Sequence, residues 1–441
     1  MRIGIIGGGP AGYSAALGLS ENDNKVQLFE KEEVGGVCLN VGCIPTKSLI
    51  HSASIYNVCD KDKINVNWEE IKKKKDLAVK RNLIGLKGLL KKKKVEVINK
   101  EALLKEDGSI EVSGNRNSFD KVIIAVGSKP LTLPFSVPKD VWYSADAFSA
   151  KNIPDSIVII GAGYIGLEFG YIFSCVGSKV TLIEKENEVL PGEDVESAAI
   201  LRKNLRRKGI EFHLSSEVVG VKKKNNSFQV IFNKNNKKGN IEAKKVLIAI
   251  GRKPNVDNLP RRVLKEDKFV GVNDFLETKI KDVYAIGDCR GGYLLAHSAF
   301  KDAEIVTMNI IGDRRKKDLF SIPRVIYTKP EFASVGYSEE KLKQEGIDYK
   351  VAKFNFAANG RAIVTGKTAG AIKLIYNVKG RILGGIIVGE DASELIAFLS
   401  LSIDNKIKLD SLSKTVFPHP TFSEVIGQVT SNALREGVKS N

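Results

Sequence analysis

One unit is written twice in this chain. Ile3 to Gly12 reads IGIIGGGPAG, and Val158 to Gly166 reads VIIGAGYIG. In the first copy Gly7, Gly9 and Gly12 end a short β-branched run and open an apolar helical one; Gly161, Gly163 and Gly166 do the same in the second. A second strand-like run then ends in an acid, Val26 to Glu30 and Val180 to Glu184, and the first glycine and the acid stand 23 residues apart in both copies (30 − 7 and 184 − 161). One glycine permits a tight turn, a second lets backbone approach a pyrophosphate, and the third lets strand and helix pack closely. The phosphates then meet a helix N-terminus and the acid accepts from ribose hydroxyls. An α/β chain with two Rossmann-like dinucleotide-binding domains is expected. Gly7, Gly9, Gly12 and Glu30 would serve one nucleotide, and Gly161, Gly163, Gly166 and Glu184 the other.

The duplication continues. Val122 to Gly127 (VIIAVG) and Val246 to Gly251 (VLIAIG) read as buried strands ending at Gly127 and Gly251, followed by Ser128-Lys129-Pro130 and Arg252-Lys253-Pro254. Each strand is expected to close its own nucleotide domain. Val283 to Asp288 (VYAIGD) puts an acid at the end of another strand. From about Ile322 the pattern turns to period-two runs, Ala371 to Tyr376 and Ile382 to Val388, with a helical run from Ala392 to Ile403. The turn signals Asn359-Gly360 and Lys379-Gly380 fit an antiparallel sheet, so a separate α+β domain is expected. The boundaries read as 1–145 and 266–320 for a split first domain, 146–265 for the second, and 321–441 for the last.

A chain of 441 residues can bury several cores, and none of its apolar runs is long enough to span a bilayer. Met1 to Ile6 lead straight into a strand, which leaves no room for a signal or transit peptide, so a cytoplasmic location, or an already processed chain, is expected. The 69 basic and 52 acidic residues give a net charge of +17. The excess lies in scattered lysine runs such as Lys72 to Lys75 and Lys222 to Lys224, without interleaved aromatics or a DNA-reading motif, and reads as solvated surface rather than a nucleic-acid site.

Five cysteines are an odd count for a secreted disulfide framework, yet Cys38 and Cys43 stand close in GGVCLNVGCIPTKSL, just after the first ribose acid. A disulfide needs Cα atoms about 4.4–6.8 Å apart, whereas five residues of helix rise about 7.5 Å. The chain would have to bend between the thiols, and Gly42 and Pro45 supply irregularity. Two buried free thiols, or half of a metal site, remain open alternatives; no second cysteine pair or histidine-rich segment supports the metal.

That string, the paired glycine units, YAIGDC, YLLAHSA and HPTFSE together resemble the pyridine nucleotide-disulfide oxidoreductase family across essentially the whole chain, and within it the branch that oxidises dihydrolipoamide. The resemblance implies FAD in the first nucleotide domain, NAD in the second, and a C-terminal domain that forms a homodimer. It implies that Cys38 exchanges with substrate, that Cys43 lies against the flavin, and that Lys47 lies near the flavin and pairs with Glu168. By the same likeness Asp288 contacts the ribityl chain, Ala296 lies nearby, and Ala102 contacts the adenine end. His419, oriented by Glu424 and followed by a cis bond to Pro420, would deprotonate the dithiol, a task suited to an imidazole near neutral pH. The implied partner is a lipoyl-bearing carrier protein of a 2-oxoacid dehydrogenase or glycine cleavage complex. The alternative is an NAD(P)H-dependent reductase of another disulfide, such as glutathione disulfide. Glu184 favours NAD, since it would repel a 2′-phosphate; Lys185, next along the strand, is expected to point to the other face.

Overall fold

Two parallel sheets of the same strand order carry the duplicated sequence. The computed structural model describes residues 1–21, 23–56, 66–317 and 321–435. In the first sheet the order is Val283–Ala285, Lys121–Ile124, Arg2–Ile6, Lys25–Phe29, Glu96–Ile98, all parallel. The second runs Lys245–Ile248, Ser156–Ile160, Lys179–Ile183, Glu211–His213, and a parallel bridge from Trp142 to Leu247 stands where the first sheet has its fifth strand. Ile157 to Ile160 are all buried, because both faces of a parallel sheet are covered and each strand is apolar at consecutive positions. Each acid sits one residue past its strand, Glu30 after Phe29 and Glu184 after Ile183.

Each unit also carries a three-stranded antiparallel sheet inserted before its last shared strand. Ala102–Leu104, Ile110–Val112 and Asn115–Asn117 form one; Glu217–Lys224, Ser227–Lys234 and Lys237–Ala243 form the other. Lys121–Ile124 and Lys245–Ile248 each join their own sheet. The tripeptides after them do something the sequence did not announce. Gly127 and Gly251 turn with φ of 70° and 109°, and Ser128–Pro130 then pairs antiparallel with Arg252–Pro254, tying the two units together.

The C-terminal sheet is antiparallel throughout, in the order Arg324–Ile326, Glu331–Gly336, Ile382–Gly389, Ala371–Tyr376, Lys350–Asn355. Strand alternation divides its residues between two cores. Val335, Ile372, Leu374 and Ile387 pack with the helices Ala392–Asp404 and Glu424–Arg435, whereas Phe332, Ile375, Ile386 and Val388 share the core of the second nucleotide unit with Leu167 and Phe169. Lys379-Gly380 makes the expected hairpin turn, with Gly380 N–H donating to Asn377 O at 2.9 Å. Asn359-Gly360 does not. Asn359 caps the helix Gly360–Thr365, its side chain accepting from Ala362 N–H at 3.0 Å. An asparagine that bonds its own backbone serves a helix start as readily as a turn, which is why the signal misled. Among the described residues no helix is long and apolar enough to cross a membrane.

Candidate active site

The two thiols meet because the chain breaks between them. Cys38 lies in the helix Gly36–Val41, Cys43 opens the helix Cys43–Tyr56, and Gly42 joins them at φ −147°, ψ −113°. A Cβ on Gly42 would stand 2.6 Å from Val37 O and 3.1 Å from Cys38 Cα, so glycine alone lets the second helix begin this close to Cys38. Pro45 plays no part in the break; it sits in the first turn of the second helix, where proline is at home. The glycines before Cys38 dock the whole motif on the first dinucleotide turn. Gly35 N–H donates to Gly8 O at 2.8 Å, and a Cβ on Gly36 would stand 2.8 Å from Gly9 Cα.

Both thiols are free and share a hydrogen bond. That bond from Cys38 pulls Cys43 down to about 7, with the Lys47 charge acting in the same direction against burial. The same bond, burial and the Cys43 charge push Cys38 up. The pair titrates as a unit, and its first negative charge rests on Cys43. Lys47 lies one turn beyond Cys43 and donates to both oxygens of the buried Glu168, at 2.9 and 3.0 Å. Burial opposes the Lys47 ammonium, but the Glu168 charge and hydrogen bond outweigh it and raise the lysine. Tyr327 completes this cluster. Its N–H donates to Glu168 at 3.2 Å and its ring lies 4.5 Å from Lys47 Nζ.

Both nucleotide turns have the geometry that their glycines suggest. Gly7 and Gly161 have φ of 106° and 101°, and a Cβ on Gly12 or Gly166 would collide with the carbonyl oxygen of Gly7 or Gly161. Gly9 and Gly163 precede the helices Pro10–Ser20 and Tyr164–Cys175 and face open space, so the helix N-termini are accessible to a pyrophosphate. Glu30 accepts from Gly8 N–H at 2.7 Å and Glu32 N–H at 2.9 Å; Glu184 accepts from Ala162 N–H at 2.7 Å and Glu186 N–H at 3.0 Å. Each carboxylate is thus oriented by its own turn, with lone pairs left for a ribose. Lys185 lies past the end of its strand rather than on it, and pairs with Glu217 at 3.1 Å, which holds it away for a different reason from the one expected. These cradles fit two dinucleotides.

Asp288 lies in the short helix Gly287–Arg290 and accepts from Ser128 Oγ at 2.6 Å. Burial raises its carboxyl. Arg252 donates to Ser128 Oγ at 2.8 Å and to Ser128 O at 2.6 Å, so the ladder between the two units delivers a guanidinium beside Asp288. Burial lowers Arg252 against the charges of Asp288 and Cys43. Sequence reasoning missed this arginine; the paired tripeptides were its only signal. It also missed Tyr13, whose phenol is pushed up to about 12 by burial and by the charges of Cys38 and Cys43. Ala296 opens the helix Ala296–Ile311, which packs along Pro10–Ser20, and Ala102 follows Glu101, whose carboxylate pairs with Lys31 beside Glu30.

His419 and Glu424 are together, but they are not at the thiols. His419 Nδ1 lies 2.9 Å from Glu424 Oε1, Glu424 Oε2 accepts from Thr421 N–H at 2.8 Å, and the His419-Pro420 bond is cis. These two bonds lower the Glu424 carboxyl. The imidazole is 77% exposed, and among the described residues no hydrogen bond or ion pair links the dyad to Cys38 or Cys43.

Residues 1–303 match the pyridine nucleotide-disulphide oxidoreductase family, and residues 322–430 match its dimerisation domain. The dihydrolipoyl dehydrogenase of Geobacillus stearothermophilus is 35% identical over 448 residues, covering 98% of this chain and 95% of the relative. That of Thermus scotoductus is 39% identical, covering 95% of this chain and 94% of the relative. Among solved structures, the HOCl-induced flavoprotein disulfide reductase RclA of Escherichia coli superposes with a TM-score of 0.88 at 27% identity, covering 98% of this chain and 99% of that one. LpdA of Mycobacterium tuberculosis shares the fold, with a TM-score of 0.91 at 23% identity and the same coverage. The chain belongs to the pyridine nucleotide-disulphide oxidoreductase family.

Proposed function

We propose that the protein is an NAD-dependent dihydrolipoyl dehydrogenase that works as a homodimer in the cytoplasm. FAD occupies the first cradle, with Gly7, Gly9, Gly12, Glu30, Ala102, Gly127, Asp288, Ala296 and Lys47 along it. NAD occupies the second, with Gly161, Gly163, Gly166, Glu184 and Gly251. The carrying observation is the thiol pair seated by backbone contacts on the first dinucleotide turn. When bound there, the flavin supplies the electron-accepting ring that lets a dithiol reduce a nicotinamide.

The chain's own residues carry the thiol exchange. His419 of the partner subunit, held by Glu424 of the partner subunit, takes a proton from the substrate dithiol. The substrate thiolate attacks Cys38 of the oxidised pair; a substrate sulfur–Cys38 bond forms and the Cys38–Cys43 bond breaks. Cys43 leaves as the thiolate, which its low pKa and Lys47 favour. The second substrate sulfur then displaces Cys38, closing the lipoyl disulfide and leaving both electrons on the cysteine pair. The physiological substrate is a lipoyl group on a carrier protein of a 2-oxoacid dehydrogenase or glycine cleavage complex.

A second reading, reduction of another disulfide by NAD(P)H, draws on the likeness to RclA. Purified holoenzyme assayed on dihydrolipoamide with NAD, and on glutathione disulfide with NADPH, separates the two. Turnover of the first pair alone is expected; turnover of the second alone would replace the reading.

A further inference from the structure

Asp302 is a fully buried acid that the thiol exchange does not use. It lies in the second turn of the helix Ala296–Ile311 and is 0% exposed. Its Oδ2 accepts from Gly287 N–H at 2.8 Å and from Arg290 Nε, and its Oδ1 accepts from Arg290 Nη2 at 2.8 Å. The Arg290 side chain is itself 8% exposed. One carboxylate therefore grips both ends of the short helix Gly287–Arg290, through the backbone at its first residue and through a two-pronged ion pair at its last. Asp288 lies between the two grips. Its carbonyl accepts from Gly291 N–H at 3.0 Å, and Cys289, the next residue, is fully buried.

The place of this short helix gives the clamp a consequence. A Cβ on Gly287 would stand 2.9 Å from Ala11 Cβ and 3.6 Å from Ala299 Cβ. The turn is thus wedged between the helix that starts at the first dinucleotide turn and the helix that carries Asp302. Arg252, beside Asp288, feels the charges of both Asp288 and Cys43. Asp288 is therefore near the first dinucleotide turn and near the thiols, the two places that a flavin taking electrons from those thiols has to join. A buried ion pair adds little stability over a well-packed apolar pair of the same volume, but a guanidinium fork on a carboxylate fixes direction. A single turn of 3-10 helix has no length of its own with which to hold that direction.

We propose that Asp302 is a positioning residue for FAD: by gripping Gly287 and Arg290, it presents the Asp288 carboxylate to the flavin nucleotide in one fixed orientation. This rests on the reading that FAD occupies the first cradle with Asp288 along it. A carboxylate already aimed spares the cofactor the cost of ordering it.

The test measures FAD affinity from the flavin fluorescence released on serial dilution of the holoenzyme, with circular dichroism as the check on folding. Asp302→Asn keeps the shape and loses the charge. It is expected to weaken FAD binding roughly 10- to 100-fold, the range for one misplaced hydrogen bond to a charged group. Asp288→Asn should weaken binding at least as much, and adding Asp302→Asn to it should weaken binding no further, because Asp302 acts through Asp288. Arg290→Met together with Asp302→Leu leaves no buried charge unpaired, so this variant should fold like the parent and still lose FAD affinity. Losses that add in the Asp288→Asn background, or an apolar pair that binds FAD like the parent, would overturn the proposal; both would mark the ion pair as ordinary packing. If Asp302→Asn does not fold, the apolar pair decides alone. A parent that holds no FAD would overturn the reading of the first cradle and this inference with it, whereas FAD held equally by the parent and by Asp302→Asn would overturn this inference alone.

Discussion

Cys43 gives up its proton more easily than an ordinary thiol because a hydrogen bond from Cys38 and the Lys47 ammonium both favour the anion. A lowered pKa means the thiolate prevails above pH about 7, where an unperturbed cysteine would wait until about 8.5. Alkylation of Cys43 in the reduced protein, followed by mass spectrometry across pH, should show a midpoint near about 7. Lys47→Met should move that midpoint up by about one unit or more, since a nearby opposite charge is worth that much; an unmoved midpoint would remove the lysine from the account. The second prediction at this scale concerns Glu184. Its carboxylate is aimed by Ala162 and Glu186 amides, and Lys185 is taken up by Glu217. Glu184→Ala should raise the KM for NAD roughly tenfold while barely changing that for NADP, narrowing the preference. An NADP preference in the parent enzyme would contradict it. The glycines and acids of both cradles were legible in the sequence because their spacing is set by local turn geometry. Arg252 was not, because it reaches the site through a ladder between segments more than a hundred positions apart, and Tyr13 was not, because a helix residue outside the glycine pattern carries no mark of its own although it follows Gly12 directly.

At the scale of elements, the paired parallel sheets could be read because duplicated apolar runs and glycine turns carry their own signature. The ladder between Ser128–Pro130 and Arg252–Pro254 could not, since it pairs residues more than a hundred positions apart with no pattern of their own. Asn359 shows a different failure, a side chain whose local chemistry suits a turn and a helix cap equally. Gly42 is the element-scale feature on which the thiol geometry depends. Gly42→Ala puts a methyl group 2.6 Å from Val37 O and so must move one helix against the other. The variant should lose about 1–3 kcal/mol of stability, keep its flavin, and lose dithiol oxidation. Normal turnover would show that the break between the helices is not what brings the sulfurs together. Thermal unfolding, flavin absorbance and activity on the same sample distinguish these outcomes.

The whole molecule poses a problem that one chain does not solve. His419 and Glu424 form an exposed dyad on the C-terminal domain, and the thiols lie on the first nucleotide unit. The C-terminal domain also exposes Val364 at 74%, Leu401 at 57% and Val416 at 92%, large apolar side chains of the kind an interface covers. A two-fold contact would bring each chain's dyad to its partner's thiols and create two equivalent sites. Cys38→Ser and His419→Ala chains should each be inactive in dihydrolipoamide-dependent NAD reduction, because each homodimer lacks one required group at both sites. When the two are mixed and allowed to exchange, half of the dimers are hybrids carrying one intact site of two, so activity should return to about a quarter of the parent's. No recovery, in a sample where hybrid dimers are verified by native mass spectrometry, would mean that thiols and dyad belong to the same chain.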